Sequence, residues 1–145
     1  MGRVPGRNAV PVFALILVDT SAWVEFLRDT GTAVCEEVDR LLTEEVAVCN
    51  VIRMEVLAGA RDESHLASLR GLIARAAMIR TLPTDYDDAA ALFRHCRRRG
   101  GTVRKLVDCL IAAVAIRVGA PILYQDSDFD ILVRHTRLQV HHPNP

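Results

Sequence analysis

Asp19 closes an apolar run, FALILV at residues 13–18, and is followed at once by two hydroxyl residues, Thr20 and Ser21. A carboxylate at the tip of a buried strand either caps the next helix or faces a polar site. Asp126 repeats the arrangement after ILY (122–124), in an acidic turn that also holds Asp128 and Asp130. Asp108 is the only charge between Lys105 and Arg117, in LVDCLIAAVAI. A helix apolar nearly all round is a buried helix, and an unpaired carboxylate in it costs several kcal/mol. Asp108 must therefore be paired, protonated or metal-bound. Glu55, in RMEVLAGAR, has only Val51, Ile52, Ala58 and Gly59 one turn away, so it has no basic helical partner.

Each residue also has a bland reading. Asp19 and Asp126 serve as helix caps, and Ser127 with Asp130 makes a capping box. Asp108 pairs with Arg104 or Lys105, and Glu55 reaches solvent. Taken together they imply something else. Gathered at one end of a sheet, Asp19, Glu55, Asp108 and Asp126 would repel one another, and without cations some pKa values would rise sharply. All-oxygen ligation with no His or Cys suits Mg²⁺ or Mn²⁺ rather than zinc. Such a site activates water and stabilises the charge that develops on a phosphodiester during in-line displacement. Thr20 and Ser21 then orient a ligand or a water from behind.

Short apolar runs alternating with helical patterns supply the frame. Strands are predicted at 13–18, 46–49, 79–82, 122–124 and 138–140. Helices are predicted at 21–28, 32–45, 51–60 with Asn50 as cap, 63–77, and from a Thr84-x-x-Asp87 cap to about Arg99, where Gly100-Gly101 stops the chain. Two more follow, at 103–118, ended by Gly119, and at 127–135. The pattern reads as an α/β class, a three-layer α/β/α sandwich with a mostly parallel central sheet whose sites form at the carboxyl ends of the strands. Residues 1–12 are expected as a flexible extension, 13–140 as the domain and 141–145 as a frayed tail.

The chain has 145 residues, with 18 Lys plus Arg against 18 Asp plus Glu, so its formal net charge is zero and it is no generic polyanion binder. Its basic groups concentrate locally in RHCRRRGGTVRK, 94–105, directly before the helix bearing Asp108. Arg98, Arg99, Arg104 and Lys105 are the candidates for phosphate contact, against the alternative of a solvated helix C-terminus. The four cysteines form no CxxC pair, so reduced thiols in a cytoplasm are expected. The basic-then-apolar opening is too short and contains Pro11, which disfavours a signal peptide; no segment approaches the ~20 apolar residues of a membrane span. Trp23 and Phe26, one turn apart, are expected in core or dimer packing. No catalytic role is expected for His135, His141 or His142.

Four blocks in order, LILVDTSAWVEFL, RMEVLAGAR, LVDCLIAAVA and ILYQDSDFDIL, resemble the PIN-domain ribonucleases, specifically the VapC-type toxins of bacterial toxin–antitoxin pairs. The resemblance implies a catalytic, metal-binding quartet of Asp19, Glu55, Asp108 and Asp126, with Asp128 auxiliary or alternative to Asp126. It also implies Mg²⁺- or Mn²⁺-dependent cleavage of RNA (a tRNA or rRNA), a cognate antitoxin and a homodimer. Two features depart from the family: the residues preceding the first strand, and Tyr124-Gln125, where a small hydroxyl and a polar residue are usual. Two other readings compete. One is a non-catalytic PIN-like module binding RNA or protein. The other is a phosphatase with Asp19 as nucleophile, disfavoured because Ser21 stands where such enzymes carry a second aspartate.

Overall fold

The computed structural model describes residues 15–43 and 46–144. The extension expected over residues 1–12 lies outside them. Four strands make a parallel sheet in the order β3-β2-β1-β4, with β1 at Ile16–Val18, β2 at Val46–Cys49, β3 at Ala77–Ile79 and β4 at Ile122–Leu123. In register, Ile16 lies opposite Val46, Leu17 opposite Ile122, and Val48 opposite Met78. All four residues of β2 are buried. Alternate strand residues face opposite ways, so both faces of the sheet are covered, as expected for a sandwich.

Among the described residues seven helices do the covering: α1 Thr20–Leu27, α2 Ala33–Leu41, α3 Asn50–Ala58, α4 Glu63–Ile73, α5 Pro83–Arg98, α6 Leu106–Val118 and α7 Asp128–His135. The α6 helix is buried without interruption from Asp108 to Ala115, which is why its sequence shows almost no polar face. Trp23, Leu17, Ile52, Ile111 and Phe129 fill the centre of the core. Trp23 meets Phe26 edge to face, with ring centroids 6.4 Å apart. Gly119 ends α6 in the left-handed region, at φ 73°, where a residue with a Cβ would be strained.

Several local expectations shift. The Thr84/Asp87 cap does not form: Pro83 opens α5 and the Asp85 carboxylate accepts from the Leu82 N–H at 2.7 Å. Proline at the first helical position fixes φ there and sets the start two residues early, with Leu82 rather than Thr84 at the cap. Asn50 is inside α3; its Oδ1 accepts from the Thr81 N–H at 2.9 Å and ties the exit of β2 to that of β3. The third strand lies at 77–79 rather than 79–82. The predicted last strand, 138–140, contributes only an isolated bridge, Val140 to Ile122. The Ser127–Asp130 box is absent, because Asp130 instead accepts from the Tyr124 hydroxyl at 2.7 Å. All four cysteines are free and buried.

Of the residues expected as a frayed tail, His141 and Asn144 make hydrogen bonds to the domain. Ile122 donates its N–H to Gln139 O and accepts from the His141 N–H, both at 2.9 Å. The buried Glu37 carboxylate of α2 meets Arg40, the His141 ring and the Asn144 N–H. Hydrogen bonding from Arg40 outweighs burial and, with His141, holds Glu37 down at about 2, against an ordinary 4.5. A carboxylate depressed in the folded state contributes stability that is present above its unfolded pKa and lost as pH falls toward the folded one. At about 1.4 kcal/mol per pKa unit, the contribution is on the order of 3 kcal/mol at neutral pH. Glu37→Gln should therefore lower unfolding free energy at pH 7. In urea titrations its deficit should close as pH falls from 4.5 toward 2; a deficit constant across that range would refute the electrostatic origin.

Candidate metal centre

The carboxyl ends of β1 and β4, helix α1, the second turn of α3, the start of α6 and the loop before α7 converge on an open cavity of about 320 Å³ lined by Asp19, Thr20, Ser21, Glu55, Lys105, Asp108 and Asp126, among others. All four carboxylates singled out above therefore face one space.

Asp19 has both roles proposed for it. It is the N-cap of α1, and its Oδ2 accepts from the Ser21 N–H at 2.9 Å and the Ser21 hydroxyl at 2.6 Å. That hydroxyl in turn accepts from the N–H groups of Gln125 and Asp126, at 2.9 and 3.2 Å. One serine thus fastens the loop after β1 to the loop after β4. Thr20 donates to Glu55 at 2.6 Å and orients it toward the cavity. Burial pushes Asp19 above the ordinary carboxylate range against the two Ser21 bonds, and the nearby Glu55 charge adds to the rise.

Asp108 is 3% exposed, and its Oδ2 is buried with no hydrogen-bond partner among the described residues. It sits in the first turn of α6, because that helix starts at Leu106 rather than 103. A helix N-terminus favours an anion, yet burial dominates and pushes Asp108 up to about 7. Lys105 opposes the rise; Asp19, Asp126 and Asp128 reinforce it.

Asp126 and Asp128 divide the turn before α7. Asp126 Oδ1 accepts from the Asp128 N–H at 2.9 Å. That bond, helped by Lys105 and Arg104 and opposed by burial, holds Asp126 below its ordinary range. Lys105 Nζ lies 3.1 Å from Asp126 Oδ2, and Arg104 Nε lies 3.0 Å from Asp128 Oδ1. Asp128 is itself buried, and its Oδ2 has no partner among the described residues.

Asp108, Asp126 and Asp128 can each present an oxygen within 4.8 Å of the other two. These three carboxylates are thus close enough to share one ion, while Asp19 and Glu55 line the same cavity as Asp108 and Asp126. The fit to a hard divalent cation is good: an all-oxygen donor set, with two buried oxygens lacking partners among the described residues. Of the candidate phosphate contacts, Arg104 and Lys105 are at the centre, paired with its carboxylates. Arg98 lines no part of this cavity, and Arg99 lines another. Gln125, noted above only as a departure from the family, and Glu25, not singled out, also line the centre. Glu25 accepts from Thr30 and Thr32, a local bond pattern with no signal in the sequence.

A parallel sheet carrying converged carboxylates at its carboxyl end defines the class, and the chain belongs to the PIN-domain family, whose model matches residues 16–134. Within it the relatives are VapC proteins. Ribonuclease VapC11 of Mycobacterium tuberculosis is 46% identical over 129 residues, spanning 86% of this chain and 96% of the relative. Ribonuclease VapC19 of the same organism is 38% identical over 110 residues, 74% of this chain and 85% of the relative. Among solved structures, VapBC2 from Rickettsia felis bound to a promoter DNA fragment aligns with a TM-score of 0.71 at 16% identity, over 88% of this chain and 97% of that one. Among the described residues, no helix is long and apolar enough to cross a membrane.

Proposed function

We propose that the protein is a Mg²⁺- or Mn²⁺-dependent endoribonuclease and the toxin of a toxin–antitoxin pair. The observation that carries the reading is Asp108, a buried carboxylate with an unpartnered oxygen in a cavity it shares with Asp19, Glu55 and Asp126. Nothing in the fold requires a charge there, and three neighbouring acids make it more costly. The relatives named ribonucleases support the reaction class, and the VapBC complexes support a cognate antitoxin. Homodimer assembly and a cytoplasmic location belong to the same reading.

Asp108, Asp126 and Asp128 would hold the ion, with Asp19 and Glu55 holding its waters or a second ion. Bound there, the cation supplies a Lewis acid for the phosphoryl oxygens and acidifies a water to make the nucleophile. Ser21 keeps Asp19 and the Asp126 backbone at a fixed separation, and Thr20 does the same for Glu55. Arg104 and Lys105, on the loop entering α6, neutralise the acids in the resting protein and are placed to hold phosphate oxygens. Adding Mn²⁺ to metal-stripped protein should start cleavage of a structured RNA panel, and excess chelator should stop it. Cleavage that continues in chelator ends the proposal.

A further inference from the structure

Arg99 lies outside the metal centre, and the cavity it lines differs from that centre in every chemical respect. It encloses about 460 Å³ between α5 and the C-terminal end of α7, and Arg99, Arg134, Arg137, His95, His135 and Thr136 are among its walls. No carboxylate lines it. Among the described residues, none of its three arginines takes part in an ion pair or a hydrogen bond to a carboxylate. In a chain of zero formal net charge, three guanidiniums left together without an anion are an uneven distribution.

Helix C-termini attract cations, and α5 and α7 both end here. That attraction does not account for the whole group, because several of the terminal carbonyls already have partners within the chain. Cys96 O accepts from the N–H groups of Arg99 and Gly101, and Leu132 O accepts from the N–H and hydroxyl of Thr136. His135 O pairs with the His95 ring at 2.9 Å. Arg137 lies beyond the end of α7 altogether. Next to the cavity α5 and α7 are packed tightly. A Cβ on Gly101 would come within 2.8 Å of Ile131 and 3.3 Å of the His135 ring, so glycine is what lets the end of α5 close onto α7.

The cavity and the reaction centre lie toward opposite ends of the same helices: Asp108 is near the start of α6 and Ile116 near its end, and α7 runs from Asp128 to the cavity. Arg134 is six residues beyond Asp128 on α7, ~9 Å along the axis at about 1.5 Å per residue. Arg99 is six residues before Lys105 in the chain. We infer that this cavity is a second anchoring site for RNA, in which Arg99, Arg134 and Arg137 hold backbone phosphates of the strand as it leaves the metal centre. The inference rests on the ribonuclease reading for its choice of polyanion. Guanidiniums in a carboxylate-free recess favour phosphodiester oxygens, and contacts of this kind position a nucleic acid without reading its sequence.

Binding of fluorescein-labelled tRNA to the full chain, followed by anisotropy in excess chelator across a salt series, tests the site. Arg134→Gln/Arg137→Gln should weaken binding at least about 10-fold and reduce the slope of log K against log salt by about 1.5, since each neutralised phosphate contributes roughly 0.7–0.9. Arg99→Gln, on a different element, should lower the slope by about half that amount, so the result does not depend on one variant folding. Arg134→Lys/Arg137→Lys should retain most of the wild-type slope. If both Gln variants bind as wild type does, as they would were the cavity a seat for an acidic protein segment, the inference falls. Wild-type protein that binds RNA through these arginines yet cleaves none in Mn²⁺ would sink the nuclease reading and leave the site standing. Wild-type cleavage together with an unmoved slope in both variants would do the reverse.

Discussion

Asp108→Asn should reduce Mn²⁺-dependent RNA cleavage by more than about 100-fold, since even residues that merely orient a metal ligand cost 10–100-fold when changed. The substitution keeps the side chain's shape and removes the charge. It leaves the buried Oδ2 position without an anion to offer a cation, while Asp126 and Asp128 remain beside it. The same change should leave the metal-free fold intact or more stable. Burial and the neighbouring acids push Asp108 up to about 7, whereas in the unfolded chain it titrates near 3.8. A carboxylate raised in this way costs the folded state nothing below pH 3.8 and its full penalty above pH 7. Asp108→Asn removes that penalty, so its melting temperature should exceed wild type at pH 8 in chelator and approach it at pH 4. Under the non-catalytic reading the carboxylate is a structural ion pair; the variant would then melt lower at every pH above 4 and activity would be absent from both proteins. Cleavage, melting temperature and their pH trend together separate the two.

Arg117→Ala should do the opposite, unfolding the protein while sparing the chemistry. Asp85 is fully buried, and its two oxygens accept from Arg117 Nε and an Nη at 2.8 and 3.0 Å. The same guanidinium donates to Arg80 O at 2.7 Å, so it joins α5, α6 and the exit of β3. Burial alone would raise Asp85, but Arg117 and the Leu82 N–H overcome it and hold the carboxyl below its ordinary range. Removing one member of such a pair strands the other, at a cost of about 3–5 kcal/mol. For a domain of this size that is roughly a 10–20 °C fall in melting temperature. Because the stranded Asp85 can escape by taking a proton, the deficit should shrink as pH is lowered; loss of side-chain packing alone would give a deficit independent of pH. A double replacement by apolar residues of similar volume should recover most of the stability. None of these four residues lines the acidic cavity.

The elements that place the carboxylates were readable because burial leaves a strong trace. An apolar run that stops at Asp19, and a helix whose one charge is Asp108, announce strand ends and a covered helix through hydrophobic spacing alone. That these groups share a cavity was a matter of topology, and alternation of strands and helices sufficed to place them at one end of the sheet. The finer points depended on competition among polar groups. Thr84 and Asp87 had the right spacing for a cap, but Pro83 and Asp85 took the position. Asp126 and Asp128 have the same composition and almost the same place in the chain; only the turn geometry decides that both point at Asp108. Arg134 and Arg137 were invisible, because a basic residue near a helix end has an ordinary explanation until its neighbours in space are known.

The last residues have a consequence for solubility. Ile122 spends both of its outward main-chain groups on Gln139 and His141 of its own chain. Strand β4, otherwise a lateral template open to a neighbouring molecule, is therefore sealed from within. The opposite border, β3, is three residues long, too little for intermolecular pairing to take hold. Shortening the chain before Gln139 would reopen the first border and invite self-association by strand addition.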